Sequence, residues 1–421
     1  MTEGGFRRRR DQASLLLLFF LFAILPATVA FGHRGVAPWL LLAALPAFAR
    51  GDFWLASFGA LFDQLDPRRP FVAGFLAICA FCAWIFISGF WSPRAMPSLA
   101  LWVLAPALVG GAVVWFSIHV SKVWAYMIAL SYAAAVIAGM GVLLFEGLSG
   151  GALRGALPPA DPTPGRIDDI IELGRGVTAL APAMFPAAII AAAVWNRYAG
   201  LGVVLLGVAA AFSNDVSANA VALAVGLIAA ILAFKAPRGM IISLLIAALA
   251  ALLLAPLATY LPVEAAFALG EGVLPSSWLH RIAIWQTAAA RIPEGLPFGF
   301  GADYARIWSE SAPMIVVPDT SELLPVIPNH PHNLFLQTWL ELGLPGVFAL
   351  AIFLIAGARV LASANLQKPI VAASCGAFAA ILVSILVEAS LWQVWRLASM
   401  AVAAMGVGLA YSLHVNWSRL P

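Results

Sequence analysis

Charge is what this sequence has least of. Only 10% of its 421 residues are Asp, Glu, Lys or Arg, against 63% hydrophobic, where a soluble domain carries about 25% charged residues. That excludes a water-soluble globular protein. Many windows of roughly 18 to 22 residues hold no charge at all, the length a helix needs to cross a bilayer. Backbone groups in lipid must be paired within the chain, so the expected fold is an all-α polytopic membrane protein and not an open sheet. Cysteine is scarce as well: Cys79, Cys82 and Cys375 are all there is. Cys79 and Cys82 share one apolar run with no further ligand beside them, which does not support a zinc site; the plain reading is buried structural thiols. No P-loop, Gly-rich dinucleotide fingerprint or internal repeat is present, which removes the usual nucleotide-binding classes.

What is there is a series of apolar runs, at about 14–31, 36–49, 71–92, 98–118, 123–147, 176–194, 199–213, 217–234, 239–257, 345–361, 369–388 and 391–412. They make about twelve expected spans, with both ends of the chain on the same side. Arg7 to Arg10 ahead of the first run read as a signal anchor with a cytoplasmic N-terminus; a cleavable signal peptide ending at Thr28-Val29-Ala30 is the alternative. The positive-inside rule sets the orientation. On this layout the cytoplasmic segments hold Arg7 to Arg10, Arg50, Arg68, Arg69, Lys122, Arg197, Lys235, Arg238, Arg359, Lys368 and Arg419, which includes every lysine of the chain. The outer side holds Arg34, Arg94, Arg154, Arg166, Arg175, Arg281, Arg291 and Arg306, all arginine, and the planar arginine fork suits phosphate oxygens better than an ammonium does. Gly51 to Asp66 reads as an amphipathic helix in the interface, with Trp54, Phe58, Leu61 and Leu65 opposite Asp52, Asp63 and Asp66; a loop with aromatic anchors is the alternative.

Two outer loops break the pattern of short turns and divide the chain into residues 1–257, 258–344 and 345–421. The first loop, 149–175, is rich in Gly, Pro and Asp. The second, from about Leu257 to Leu344, is the only segment able to fold as a small outer domain, and a loop that long is usually functional. Within it Ser276 to Arg291 reads as a helix, Pro293 to Gly301 as a turn-rich loop, and Asn333 as the N-cap of a short helix that Gly343, Pro345 and Gly346 end.

Three constellations carry candidate chemistry. Arg281 and Trp285, with His280 beside them, fall at i and i+4 on one helix face, an arrangement that clamps a sugar phosphate or forms a simple packing pair. Arg175 lies at the membrane entry of the sixth span, near Asp168, Asp169 and Glu172; it either binds a lipid-linked phosphate or snorkels and pairs with those acids. His330 and His332 flank Pro331 just before a helix N-terminus, where backbone N–H groups favour anions. They read as a general base and its support, or as exposed loop histidines. As metal ligands they lack a third partner in sequence, and the outer acids form no Asp-x-Asp pair.

The run His330-Pro331-His332-Asn333-Leu334-Phe335-Leu336-Gln337, followed by Trp339-Leu340-Glu341-Leu342-Gly343-Leu344-Pro345-Gly346, resembles the signature of the bacterial O-antigen ligase and O-antigen polymerase superfamily. Arg281, Trp285, Gly299 and Gly301 match the order of the Arg-xxx-Trp element and Gly-x-Gly turn that precede it there. The resemblance implies an inverting, metal-independent glycosyltransferase without cofactor, a multi-pass protein of the bacterial inner membrane with a periplasmic site. Its donor would be undecaprenyl-diphosphate-linked O-antigen, its acceptor a sugar hydroxyl of lipid A–core, with membrane lipid as surroundings and no nucleic acid as partner. His332, Arg281 and Arg175 would be catalytic, and His330, Asn333, Trp285, Trp339, Arg166 and Arg291 would bind substrate. An O-antigen polymerase and a protein O-oligosaccharyltransferase share the signature. A lipid-glycan transporter should instead carry ionisable groups at mid-membrane and two related halves.

Overall fold

The computed structural model describes residues 3–54, 68–94, 96–156, 167–214, 216–269, 273–317, 323–364 and 366–417. Up to the long loop the helices are α1 (Glu3–Phe31), α2 (Val36–Ala43), α3 (Leu45–Phe48), α4 (Pro70–Ser88), α5 (Leu99–His119), α6 (Lys122–Ser149), α7 (Ile167–Val194), α8 (Arg197–Phe212), α9 (Ser217–Lys235) and α10 (Pro237–Leu254). The loop contributes α11 (Val263–Leu269), α12 (Ser276–Gly295), α13 (Tyr304–Ser311) and an antiparallel hairpin of β1 (Met314–Val316) and β2 (Leu323–Pro325). Then come α14 (Leu334–Gln337), a π-helical turn (Thr338–Leu342), α15 (Gly343–Ser363), α16 (Lys368–Val387) and α17 (Val394–Trp417). The protein is an all-α polytopic membrane protein.

Ten helical stretches among the described residues are long and apolar enough to cross a membrane. The other two expected spans are shorter. α8 has 16 residues, and the run from 36 to 49 breaks into α2 and α3, because Pro46 lacks the N–H that would continue the ladder. Both nevertheless join one face of the bundle to the other. Arg50, just past α3, donates to the His119 carbonyl at the end of α5 (3.4 Å), while His33, just ahead of α2, touches Glu172 of α7 on the opposite face. Asn214, past α8, donates to the Leu143 carbonyl of α6 (3.0 Å). Arg154 donates to the Phe31 carbonyl at the end of α1 (2.7 Å), so Phe31 lies on the face of Glu172, and the start of α1 and the end of α17 lie on the other.

α7 is the central post: 78% of its apolar window is buried, against 22% for α10. Its run of small side chains (Gly176, Ala179, Ala181, Ala183, Ala187, Ala188) lets α1, α6 and α17 approach closely. Large apolar side chains such as Phe20, Phe71, Phe212 and Ile228 point outward, as lipid-facing residues do. Cys82 and Cys375 are buried, Cys79 is half-buried and none is paired.

Two loop expectations change. The first outer loop turns helical at Ile167, so Arg175 sits within α7 and not before it. α12 continues to Gly295 through Pro293; one proline near a helix end removes a single hydrogen bond, and the Arg291–Glu294 ion pair (2.8 Å) spans the last turn. Of the expected interfacial helix, Gly51 to Trp54 is helical and the remainder lies outside the described residues.

Candidate active site

The His-Pro-His segment enters from β2 and meets the membrane helices at α14. Asn333 is extended, and its Oδ1 accepts from the N–H groups of Phe335 (3.0 Å) and Leu336 (3.1 Å), capping α14. His332, one residue earlier, has φ +53, a left-handed conformation that a β-carbon disfavours. It is held there because its backbone N–H donates to Nδ1 of His330 (3.1 Å), and the two rings lie 4.3 Å apart. His330 is buried, and its Nε2 faces the side-chain amide of Gln393 (3.3 Å), in the turn between α16 and α17. His332 differs: its Nδ1 is buried and has no partner.

Glu341 anchors this segment from below. Its carboxylate, fully buried, accepts from the backbone N–H of Asp303 (2.8 Å) and Ala305 (3.2 Å), the Gln337 amide (3.1 Å) and the Trp392 indole (2.7 Å). The Gly-x-Gly turn packs onto the same π-helical turn: Phe300 N–H donates to the Leu340 carbonyl (3.0 Å) and Gly301 N–H to that of Glu341 (2.9 Å). Contact is so close that a β-carbon on Gly299 would strike the Glu341 carbonyl and one on Gly343 the Pro297 carbonyl, and both glycines have positive φ. Asp303 adds a further tie, taking Arg94 (2.6 Å) and Arg306 (3.0 Å) on one oxygen.

Arginines surround the histidines. Burial, and then the charges of Arg396, Arg306, Arg175 and Arg281, push His330 down to about 3. Burial also drives His332 well below its ordinary value, helped by His330, Arg281 and Arg396. Both imidazoles are therefore neutral at pH 7. Arg281 and Arg396 share Glu388 at the end of α16, Arg396 at 2.9 Å and Arg281 at 4.0 Å. Each also has a buried Nε without a partner. Such a cluster of cations around uncharged bases, with one carboxylate between two of them, is arranged to take a multiply charged anion.

The structure brings Arg281, Arg175, His330 and His332 together, from elements far apart in sequence. It distributes the others differently. The ring beneath the Arg281 guanidinium is Trp278 (5.7 Å), not Trp285, because helical side chains lean toward the N-terminus and reach back over the preceding turn. Trp285 instead lines an apolar cleft of about 260 Å³ with Ala251, Leu254, Ala258, Asn333 and Leu336, between α10, α12 and α14. His280 faces the Pro325 carbonyl (2.9 Å) and so moors the hairpin. The Trp339 indole donates to the Leu252 carbonyl (2.7 Å). Arg291 pairs with Glu294 and packs over Phe300 and Trp308. Arg166 lies outside the described residues.

Residue spacing did not point to Arg396, Glu388 or Gln393. The available signal was charge itself, since Glu388 and Arg396 interrupt otherwise uncharged runs, and ionisable groups in such places are functional by default. Asp303, Arg306 and Glu341 have local contacts, Asp303 with Arg306 and Gln337 with Glu341, but the partners that draw them to this site are 36 to 38 residues away for Glu341 and 209 for Asp303 with Arg94.

Residues 201–351 match the family model described as O-antigen ligase. No curated protein matches the chain. The matched stretch runs from α8 into α15 and so contains the whole long loop, both histidines, Arg281 and Glu341. Over that stretch the chain is similar to the O-antigen ligase family.

Proposed function

We propose that the protein is an O-antigen ligase, which moves polysaccharide from undecaprenyl diphosphate to a sugar hydroxyl of lipid A–core at the periplasmic face of the bacterial inner membrane. The observation that carries this reading is a pair of adjacent, neutral imidazoles with arginines about them, four acting on His330 and two of these, Arg281 and Arg396, on His332. In the mechanism, the unpartnered Nδ1 of His332 takes the proton of the acceptor hydroxyl. The oxygen attacks the anomeric carbon from the side opposite the diphosphate, the glycosidic bond to phosphate breaks, and the configuration inverts. Arg281, Arg175 and Arg396 receive the charge that gathers on the leaving diphosphate. The same field couples the two events. Burial and then the charges about it disfavour an imidazolium at His332; a bound diphosphate would offset the arginine part, so His332 becomes more basic when the donor is in place.

His330 serves as support, since its Nδ1 is already engaged by the His332 N–H. Trp285 and Asn333 line the apolar cleft beside α10, which suits a polyprenyl chain or the face of a sugar, and lateral entry there would bring the diphosphate under the arginines. Trp339, its N–H held by the Leu252 carbonyl, has only its ring left for substrate contact. Arg166 and Arg291 are assigned to substrate binding, and arginine chemistry makes a metal unnecessary. In this reading residues 258–344 form the active-site domain between membrane parts 1–257 and 345–421, and both termini are cytoplasmic.

Purified protein with undecaprenyl-diphosphate-linked glycan and lipid A–core, with and without EDTA, tests this directly. Glycan on lipid A–core in both reactions is expected. Product that disappears with EDTA would replace the arginine mechanism with a metal-dependent one. Glycan lengthening on its own lipid carrier would identify a polymerase, and glycan appearing only on Ser or Thr of added protein an O-oligosaccharyltransferase.

A further inference from the structure

His33 is almost sealed from solvent, 2% exposed, in the turn between α1 and α2. Its Nδ1 lies 2.5 Å from Oε2 of Glu172, an ion-pair contact outside hydrogen-bond geometry, and Oε1 of the same carboxylate lies 2.5 Å from Nη1 of Arg175. On its other side the imidazole meets Trp395 edge-on, with centroids 4.4 Å apart at 75°. The guanidinium carbon of Arg396 sits 4.7 Å over that indole. One buried ring thus touches, through a carboxylate and through an indole, two of the four arginines whose charge reaches His330.

We propose that His33 is a positioning residue for the diphosphate-binding arginines: it holds Glu172, which fixes Arg175, and it backs Trp395, on which Arg396 lies. The proposal rests on the assignment of Arg175 and Arg396 to the diphosphate made above. The physical need is clear at Arg175, whose side chain is 41% exposed and tied, among the described residues, by a single ion pair. A long free side chain must be ordered when ligand binds, and ordering it beforehand improves affinity. A polar ring at a buried junction also costs the fold desolvation that an apolar side chain of similar size would not, so its presence calls for a partner, and Glu172 is the carboxylate in contact. The three elements that meet here, the turn at 33–35, α7 and α17, have no proximity in sequence.

The full-length protein in lipid nanodiscs provides the test, with undecaprenyl diphosphate as binding probe and donor KM and kcat as second readout. In His33→Asn the amide nitrogen stands where Nδ1 does and keeps the contact with Glu172; His33→Phe keeps a ring against Trp395 and loses that contact. His33→Phe is expected to weaken probe binding on the order of tenfold, raising donor KM more than it lowers kcat. His33→Asn is expected to recover most of that affinity, and His33→Phe to add little once Arg175→Ala is present. The proposal is overturned if His33→Phe binds the probe like wild type, if its effect is undiminished in the Arg175→Ala background, or if His33→Asn folds yet binds no better than His33→Phe. Should neither variant fold, Glu172→Gln interrupts the same link, and wild-type affinity there overturns the proposal as well. Wild-type affinity in both Arg175→Ala and Arg396→Ala is a separate result: it removes the assignment of the arginines themselves.

Discussion

His332 combines a left-handed backbone (φ +53) with a buried, unpartnered ring nitrogen, and both features make it separable from the fold by substitution. His332→Gly is expected to lose transfer by about 10²- to 10⁴-fold, the usual weight of a general base. It should melt no earlier than wild type, because glycine adopts positive φ without strain; transfer assays beside thermal melts check both halves. His330 makes a different prediction, through pH. Its folded value near 3 lies below the ordinary value of 6.5, so between those limits the unfolded chain holds a proton that the folded one lacks. Stability is then full above pH 6.5 and falls as pH drops toward 3, by up to ~1.4 kcal/mol per pH unit for a fully buried ring. Melting curves from pH 7 to pH 5 should be flatter for His330→Gln than for wild type; identical slopes would mean that the ring is not held neutral.

At the scale of elements, the site depends on a break and not on a helix. α14, the π-helical turn and α15 make up one helical stretch, Leu334–Ser363, whose backbone is interrupted at Gly343, where φ is +58 and a β-carbon would meet the Pro297 carbonyl. That break is what admits the Gly299 to Gly301 turn and directs Glu341 inward to its four donors. Gly343→Ala meets both a disfavoured φ and a steric conflict, and it is expected to cost about 1–3 kcal/mol and to displace the histidine segment. Hydrogen exchange should show lost protection around Phe335 to Glu341, with α6 and α7 unaffected, and transfer should fall with it. The Gly-x-Gly turn and the Leu-Gly-Leu-Pro-Gly run were both legible as punctuation in the sequence. That they lock into one another was not, since 42 positions separate Gly301 from Gly343 and only the packed turn shows the contact.

For the whole molecule, the bundle has two unlike faces. One carries the long loop, Arg175, Arg396 and the ends of α1 and α16; the other carries the start of α1, Arg197 and the end of α17. With the three cysteines replaced, Glu310→Cys on the loop face should react with a membrane-impermeant maleimide added to cells whose outer membrane is opened. Arg197→Cys on the other face should react only after lysis; both positions are exposed. The reverse pattern would invert the orientation that the arginine and lysine distribution implies.

The sequence by itself determined the class of protein and marked a candidate site. Scarce charge and apolar runs of helix-spanning length favour a helical membrane bundle over a barrel, and the His-Pro-His-Asn segment with its trailing glycines marked the candidate loop. Those signals are local: hydropathy, capping and turn residues act within a few positions of one another. Tertiary structure alone decided which charges face the histidines. Arg175, Arg281, Arg306 and Arg396 come from a central span, a loop helix, a second loop helix and the last span, and no periodicity relates them. It also decided that Arg281 overlies Trp278, that Arg291 lies over Phe300 and Trp308, and that buried His33 meets Glu172 and Trp395. A charge reports its own position in the chain; the field that it contributes depends on which other elements pack beside it.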